Sequence, residues 1–321
     1  IVFGATGVIG LGLIDLLSTE NPGWEIFAVT RSESSEKFAQ YNNVNVLQGD
    51  PKEKDKTMDL CADKDLIFCT LGISKYEAKH WAQEWPLIVD NLLAASAQNP
   101  KQKFVFCDNL YAYGSGRDIS PKSELVEPSL KTKPAIRSML HAKLQARMDK
   151  TPDSIAVVGG ADFFGPGVTQ SSFLGDTFTK AIVSGKSRPL AMASASKLHD
   201  CAYTRDFSKA LYIAGTDDKA NGKFWICPHA VKNKTLQDLA NDVAEITYSE
   251  KRKVLVIPGW AVRVTGFVDS FMKEMVEMLP IWREDYTVDD SDFCKVFNVQ
   301  PTPYDVALKE YVDFYKEILS A

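Results

Sequence analysis

The amino-terminal run IVFGATGVIG places three glycines where a chain can bind a phosphate group. Gly4, Gly7 and Gly10 follow a short apolar stretch and precede residues with helical spacing. Glycine allows backbone conformations that other residues avoid and lets N–H groups come close to a pyrophosphate. The amino terminus of the next helix adds partial positive charge. The pattern predicts a dinucleotide-binding turn; the alternative is a strand-to-helix turn without a ligand.

The residues after the second apolar run bear on which dinucleotide binds. In dinucleotide-binding folds a carboxylate at this place contacts the adenosine ribose of NAD, whereas a cation suits the 2′-phosphate of NADP. Here Arg31 and Ser32 follow the run EIFAVT. We therefore expect NADP(H) to be favoured over NAD(H). A surface arginine is the alternative, and the nearby Glu33 and Glu36 leave the opposite preference open.

Further cofactor contacts are expected at the ends of later strands. Asp50 can accept a hydrogen bond from an adenine amino group, and Gly72 lets the cofactor backbone pass closely. The loop ADFFGPG ends another strand, where ligands usually lie in such sheets. The predicted cofactor-binding residues are Gly4, Thr6, Gly7, Val8, Ile9, Gly10, Arg31, Ser32, Asp50, Pro51, Leu71, Gly72, Lys143, Asp162 and Phe163.

Strand-sized and helix-sized patterns alternate along the first part of the chain. Apolar runs in IVFGATG, EIFAVTRS, VNVLQGD, DLIFCTLG, KFVFCDN and SIAVVGG are separated by segments long enough for crossover helices. This predicts an α/β chain with a doubly wound parallel-sheet Rossmann fold and a smaller C-terminal substrate-binding domain. We assign residues 1–167 to the dinucleotide-binding domain and 168–321 mainly to the substrate domain, with 198–228 returning to the Rossmann domain.

Composition excludes several other classes of protein. The 321 residues are 45% hydrophobic and 25% charged, and the net charge of -5 is spread along the chain, so we expect a globular protein that binds no nucleic acid. No apolar run approaches the roughly 20 residues of a membrane span. The six cysteines and four histidines show no metal-ligand spacing, and we expect no metal. A cytoplasmic location and possible homodimer are expected, although a targeting segment upstream of Ile1 is not observable.

Together, GATGVIG, the Gly-Asp pair after the third strand, DNLYAYG and DFFGPG resemble the extended and atypical short-chain dehydrogenase/reductase superfamily, in particular its NAD-dependent epimerase/dehydratase family. The resemblance implies a nicotinamide cofactor and a small-molecule substrate. It also implies a Ser or Thr after the fifth strand and a Tyr-x-x-x-Lys pair on the next helix. Aligned in this way, the chain has Asn109 at the hydroxyl position, Met139 at the tyrosine position and Lys143 at the lysine position.

Methionine cannot donate a proton to the alkoxide that forms when a carbonyl group is reduced. Met139 at the tyrosine position therefore counts against simple carbonyl reduction as the function. Our leading hypothesis is an NADP(H)-dependent oxidoreductase that reduces a small or medium apolar carbonyl or enone compound. Asn109 and Tyr111 would stabilise the oxyanion, Tyr111 being also a candidate acid, and Lys143 would hold the cofactor. For Tyr111 a packing role, and for Asn109 a turn role, remain alternatives. The run NPGWEIFAVTRS more weakly resembles plant progesterone 5β-reductase and iridoid synthase relatives.

Two other functions stay open. One is an NAD(P)-dependent epimerase or dehydratase that acts on a sugar-like substrate. The other is a non-catalytic NADPH-binding or regulatory protein that has kept the fold without the acid. Turnover of nucleotide sugars without added cofactor would distinguish the first, and tight NADPH binding without turnover would distinguish the second.

Overall fold

The structure, a computed structural model, describes residues 1–31, 36–170 and 172–320, so Ser32 lies outside the described residues. Its strands are β1 Val2–Phe3, β2 Ile26–Thr30, β3 Val44–Gln48, β4 Leu66–Cys69, β5 Lys103–Asn109, β6 Gly116–Ile119, β7 Ile155–Gly160, β8 Phe163–Phe164, β9 Leu190–Ala191, β10 Ala202–Tyr203, β11 Lys223–Ile226, β12 Leu255–Val256 and β13 Tyr286–Val288. Its α-helices are α1 Val8–Glu20, α2 Lys54–Cys61, α3 Ala78–Ser96, α4 Lys133–Lys150, α5 Lys180–Ser184, α6 Thr204–Thr216, α7 Leu236–Ile246, α8 Gly259–Thr265, α9 Ser270–Val276, α10 Leu279–Arg283, α11 Ser291–Phe297 and α12 Tyr304–Ser320.

Seven parallel strands form the central sheet, in the order β3-β2-β1-β4-β5-β7-β11. The chain winds outward from β1 in both directions, so the order reverses between β1 and β4. In such sheets the crevice at the reversal, outside the carboxyl ends of the strands, is where ligands bind. The predicted Rossmann fold is confirmed.

Helices cover both faces of this sheet. Leu13 of α1 and Leu211 of α6 are fully buried with Val105 of β5 on one face. Trp85 of α3 and Leu140 of α4 are buried with the neighbouring strand residues on the other face. Side chains alternate between the two faces along a strand, so both faces of β5 are apolar, as a doubly covered parallel sheet requires.

The later part of the chain packs against the carboxyl end of the sheet. Three parallel pairs of short strands, β6 with β13, β8 with β10 and β9 with β12, join segments that are distant in the sequence. The predicted division into two domains stays a prediction. In the described part of the chain no helix is long and apolar enough to cross a membrane.

Two helix predictions differ from the structure. The periodic run GFVDSFMKEMVEML predicts one helix over residues 266–279, but α9 covers only Ser270–Val276 of it. This helix begins after Asp269, whose carboxylate accepts a hydrogen bond from the Met272 N–H. The run RSMLHAKLQARMDK predicts a helix from Arg137, whereas α4 begins at Lys133, one turn earlier. Thr132 caps this earlier start and Pro134 occupies the first turn, where its missing N–H costs nothing.

Candidate active site

The glycine turn has the geometry of a phosphate-binding turn. Gly4 has φ +84°, and a Cβ there would lie 2.6 Å from the carbonyl carbon of Thr70. At Gly10 a Cβ would overlap the Gly4 carbonyl oxygen and approach Thr70 Oγ1 to 2.8 Å. A Cβ at Gly7 would meet only that carbonyl oxygen, at 3.4 Å. Close packing therefore explains why positions 4 and 10 are glycine. For Gly7 the remaining reason is the close approach of a ligand.

The amino terminus of α1 has the donors that such a ligand needs. Its N-cap is Gly7, which has no side chain to cap the helix, and its first turn has no acidic residue. The N–H groups of an uncapped first turn lack partners within the helix and point along the axis, with the positive end of the helix dipole. A pyrophosphate therefore fits here, and Val8, Ile9 and Gly10 lie in the turn that would hold it.

Paired substitutions separate packing from binding at this turn. We expect Gly7→Ala to change the free energy of unfolding by less than about 1 kcal/mol, the scale of an N-cap change. It should weaken NADPH binding by tenfold or more, because hydrogen bonds to a charged group are worth about 1.5–3 kcal/mol. Gly10→Ala is the packing control and should lower stability by about 1–3 kcal/mol. Calorimetric titration and thermal unfolding measure both, and unchanged NADPH affinity in Gly7→Ala contradicts the assignment.

A cleft at the carboxyl end of β1, β2 and β4 brings together most of the predicted cofactor-binding residues. It is lined by Gly4, Thr6, Gly7, Arg31, Asp50, Pro51, Leu71 and Gly72. At Gly72 an added Cβ would have no neighbour within 4 Å. The cleft therefore has glycine on both walls, which leaves room for a ligand backbone to pass between them.

Two cations lie at the β2 side of this cleft. Arg31 lines it and is exposed. Lys37 was not identified from the sequence; its Nζ donates a hydrogen bond to the Thr6 carbonyl oxygen at 3.2 Å, so the ammonium group lies against the glycine turn. Positive charge at this end of the cleft suits an additional phosphate on the adenosine ribose.

The structure gives Asp50 and Pro51 local roles beside their predicted ones. Asp50 Oδ1 accepts a hydrogen bond from the Lys52 N–H at 3.0 Å, and Oδ2 lies 3.5 Å from Lys52 Nζ. The Pro51 carbonyl accepts a hydrogen bond from Nδ2 of buried Asn91 at 2.9 Å. One carboxylate oxygen of Asp50 is thus used in the turn, and contact with an adenine amino group stays a prediction.

A chain of four polar side chains, which we call the polar chain, lies beyond the ends of β4, β5 and β7. It consists of Tyr76, Tyr111, Asp162 and His199. The Tyr76 hydroxyl donates to the Tyr111 hydroxyl at 3.4 Å, and the Tyr111 hydroxyl donates to Asp162 Oδ1 at 3.2 Å. Asp162 Oδ2 lies 2.9 Å from His199 Nε2. The polar chain connects residues that are far apart in the sequence at one end of the sheet.

Burial determines the protonation of the two phenols. It raises the pKa of Tyr111 well above its ordinary value, and the Asp162 carboxylate raises it further. Burial likewise raises the pKa of Tyr76. Both hydroxyls therefore keep their protons at any physiological pH. Tyr111 can pass a proton on only by receiving another, since a free phenolate would be costly here.

A buried ion pair supports the polar chain at the end of β5. Arg137 Nη1 of α4 lies 2.9 Å from Asp108 Oδ1, and the two side chains are 5% and 6% exposed. The guanidinium carbon is 4.0 Å from the ring centroid of Trp85. Burial raises the pKa of Asp108, while Arg137 opposes that shift. This pair fixes α4 against the end of β5, the strand that directly precedes the segment with Tyr111.

A second buried cation lies one turn earlier on α4. The side chain of Lys133 is fully buried, and its Nζ lies 2.9 Å from Glu274 Oε2, 2.5 Å from Glu277 Oε1 and 4.5 Å from the centroid of the Tyr76 ring. The same carboxylates accept hydrogen bonds from the backbone N–H groups of Ala78 and Lys133, at the starts of α3 and α4. Glu274 and Glu277 thus cap the amino termini of two helices and also form the ion pair with Lys133.

Lys143 is not brought to the polar chain. Its Nζ lies 2.6 Å from Asp90 Oδ1 on α3, and its side chain is partly exposed. At 1.5 Å per residue, Lys143 lies about 15 Å along α4 from Lys133. The predicted roles of Lys143 in catalysis and cofactor binding, and the alignment of Met139 with the family's tyrosine, stay predictions, while the first turn of α4 is the part of this helix that contacts the polar chain. Lys133 and Arg137 have the four-residue spacing of the family's Tyr-x-x-x-Lys pair.

The other predicted catalytic residues lie where the sequence placed them. Tyr111 is in the polar chain. Asn109 caps the short 3₁₀ helix Leu110–Tyr113, its Oδ1 accepting a hydrogen bond from the Tyr111 N–H at 3.1 Å. This matches the turn role considered for it, and its role as an oxyanion donor stays a prediction. Asp162 belongs to the polar chain, and neighbouring Phe163 forms β8, so their contacts with a cofactor stay predictions.

Several residues of the site were not identified from the sequence. Among them are Tyr76 and His199 of the polar chain. Their partners are 35 and 37 residues away. Thr132 and Pro134 are a local sequence signal for the start of α4. Recognising this signal would have placed Lys133 and Arg137 at the beginning of the helix, near the end of the sheet.

The sheet order, the glycine turn and the cleft define a Rossmann-type dinucleotide-binding protein. Residues 4–147 match the model of a protein family described as NAD(P)H-binding. This part of the chain is similar to NAD(P)H-binding domains. The preference for NADP over NAD is a separate question that the match leaves open.

Solved structures extend the likeness to the whole chain. dTDP-glucose 4,6-dehydratase from Bacillus anthracis, in complex with NAD, has a TM-score of 0.79 at 13% identity, over 98% of this chain and 96% of that chain. UDP-glucuronic acid 4-epimerase from Bacillus cereus, also with NAD, has a TM-score of 0.76 at 13% identity, over 99% and 98%. UDP-glucose 4-epimerase from Thermotoga maritima, with UDP-glucose, has a TM-score of 0.76 at 16% identity, over 99% and 98%.

These identities establish the fold and leave the reaction undetermined. The resemblance to the extended short-chain dehydrogenase/reductase superfamily is supported by the shared fold and by the NAD(P)H-binding match. No curated protein sequence matches the chain significantly.

Proposed function

We propose that the chain is an NAD(P)-dependent enzyme of the epimerase or dehydratase type, which oxidises and re-reduces a hydroxyl-bearing carbon of a sugar-like substrate. The polar chain next to the cofactor cleft is the observation that carries this proposal. The cofactor that fits the glycine turn would supply a hydride acceptor at its nicotinamide ring. The dehydratase and the two epimerases with the same fold act on, or are named for, nucleotide sugars.

The polarity of the site favours a hydroxylated substrate over an apolar carbonyl or enone compound. A pocket for an apolar substrate is lined mainly by apolar side chains with a few polar groups. Here the polar chain is joined by the charged groups of Lys133 and Arg137 with their carboxylate partners. Burying so many polar groups is costly unless they have partners. These charged groups already pair with carboxylates, and a substrate with several hydroxyl groups can add further hydrogen bonds to such a polar site when it binds.

The hydrogen bonds of Tyr111 give it a role in proton transfer. A substrate hydroxyl beside Tyr111 would pass its proton to the phenol oxygen as the phenol passes its own proton to Asp162 Oδ1. The substrate thereby loses a proton and a hydride and becomes a ketone, and the reverse steps restore the alcohol. His199 holds the other oxygen of Asp162 and positions this carboxylate. Lys133 contacts the face of the Tyr76 ring and positions that phenol.

The test uses UDP-glucose, dTDP-glucose and UDP-glucuronic acid with the purified protein, with and without added NAD⁺ or NADP⁺. We expect an isomerised or dehydrated sugar, detected by NMR, without net consumption of the cofactor. Consumption of NADPH with 2-cyclohexen-1-one, and no change in any sugar, would instead show the reductase. Tight NADPH binding without turnover of any of these compounds would show a non-catalytic nucleotide-binding protein.

We also propose that the cofactor is NADP(H), through Arg31 and Lys37. Arg31→Ala should weaken NADPH binding by about 1–3 kcal/mol, the worth of a hydrogen bond between charged groups, and leave NADH binding nearly unchanged. The matched control is Arg205→Ala, since Arg205 is an exposed arginine paired with Glu310. Fluorescence titration with both nucleotides measures the difference. Equal losses for the two nucleotides would remove the NADP assignment.

A further inference from the structure

Tyr286 contributes a fully buried hydroxyl from the later part of the chain. It lies in β13, which pairs with β6. Its backbone is held on both sides, because its N–H donates to the Leu198 carbonyl and its carbonyl accepts from the Asp200 N–H, both at 2.9 Å. The residue has 0% exposure, and its hydroxyl has no hydrogen-bond partner among the residues that the structure describes.

The Tyr286 ring lies against the polar chain. Its centroid is 5.1 Å from that of the His199 ring, with 34° between the two planes. His199 is in turn bonded to Asp162, which accepts the hydrogen bond of Tyr111. Burial raises the pKa of Tyr286 well above its ordinary value, with a contribution from the charge of Asp162, so the phenol remains a donor.

An unpaired hydroxyl at such a place needs an explanation. Burying a hydrogen-bonding group without a partner destabilises a protein, and phenylalanine would fill the same volume without that cost. The buried tyrosines Tyr311 and Tyr315 show the usual solution, because both hydroxyls bond the Val168 carbonyl oxygen, at 2.9 and 3.3 Å. Tyr286 differs from them in lying beside the candidate reaction site. A ligand can supply the partner that the described residues do not provide.

We propose that the Tyr286 hydroxyl donates a hydrogen bond to a second oxygen of the substrate, adjacent to the oxygen that Tyr111 contacts. The site then selects molecules with oxygens on neighbouring carbons, as in a sugar ring, over simple alcohols and ketones. A site built around a donor rejects an analogue that leaves the donor unpaired. This inference rests on the proposed function and adds a substrate requirement to it.

The first experiment needs no substrate. Tyr286→Phe and Tyr311→Phe remove the same atom from two fully buried rings. The Tyr311 hydroxyl has a hydrogen-bond partner, whereas the Tyr286 hydroxyl has none among the described residues. We expect Tyr286→Phe to leave the thermal midpoint of the free protein unchanged or to raise it, and Tyr311→Phe to lower it. An equal loss of stability in both variants overturns the inference, since the Tyr286 hydroxyl would then be satisfied within the free protein.

The second experiment uses whichever of UDP-glucose, dTDP-glucose and UDP-glucuronic acid the wild-type protein turns over. In Tyr286→Phe we expect KM for that sugar to rise by about tenfold or more, with unchanged affinity for NADPH. An unchanged KM would overturn the inference while the proposed function stands. Absence of turnover in the wild type contradicts the proposed function instead, and the thermal comparison then still decides whether the Tyr286 hydroxyl lacks a partner in the protein.

Discussion

Tyr111→Phe is expected to lower kcat by about 10²- to 10⁴-fold, the usual contribution of a positioned proton-transfer group. The variant keeps the ring and loses the oxygen that links Tyr76 to Asp162. A substrate proton would then have no path to the carboxylate. NADPH affinity should be nearly unchanged, because the cleft does not include this side chain. Steady-state kinetics on a converted nucleotide sugar, together with NADPH titration, measure the two effects.

Tyr113→Phe is the matched control, since Tyr113 belongs to the same 3₁₀ helix. Its hydroxyl is 3.3 Å from His141 Nε2, outside the polar chain. We expect a kcat close to that of the wild type. If both variants lose kcat equally, the effect of Tyr111 is one of packing; if neither loses it, Tyr111 takes no part in proton transfer.

Arg137→Met should cause the largest loss of stability, about 3–5 kcal/mol, because it leaves the carboxylate of Asp108 buried without a counter-ion. Domains of this kind are commonly stable by about 5–15 kcal/mol, so the loss is a large share of the total. Methionine keeps much of the packing on Trp85, and the effect is therefore mainly electrostatic. Urea unfolding measures it.

The loss should depend on pH in a defined direction. Burial already raises the pKa of Asp108, and Arg137 opposes that shift, so removing the guanidinium raises the pKa further. Between the pKa of Asp108 in the unfolded chain and its higher pKa in the folded variant, only the folded variant holds the proton. The stability of the variant therefore falls as the pH rises through this range. We expect the difference from wild type to be larger near about pH 8 than near about pH 5.

The double variant Asp108→Asn/Arg137→Met is the control. It removes the buried charge while the amide oxygen can still accept the hydrogen bond that the Asn109 N–H now makes to Asp108 Oδ1 at 2.8 Å. We expect it to recover most of the stability and to lose the pH dependence. A single variant whose loss is the same at both pH values would show that the carboxylate bears no electrostatic cost.

The sheet and the glycine turn could be predicted from the sequence because their signals are local. The run KFVFCDN is apolar over the length of one strand, and β5 has those bounds. Gly4 and Gly7 lie between β1 and α1, Gly10 lies in the first turn of α1, and close packing explains Gly4 and Gly10. Signals of this kind need no knowledge of distant contacts.

The charged part of the site could not be predicted because its contacts are distant in the sequence. Lys133 pairs with Glu274 across 141 residues, and neither residue stands out in its own segment. The start of α4 is a local feature, and the periodic pattern predicted it one turn too late, so Lys133 was not considered. Lys143, which the sequence did single out, lies against Asp90 of α3.

The sheet order also constrains how the protein can be made. Strand β11 pairs with β7 at one edge, and α6 packs with α1 over one face. The central sheet and its covering helices are therefore complete only after the ribosome has synthesised the chain as far as Ile226. A nascent chain that has emerged only to the end of β7 leaves Leu13 and Val105 without their cover, and such a chain offers chaperones an apolar surface that the finished protein does not have.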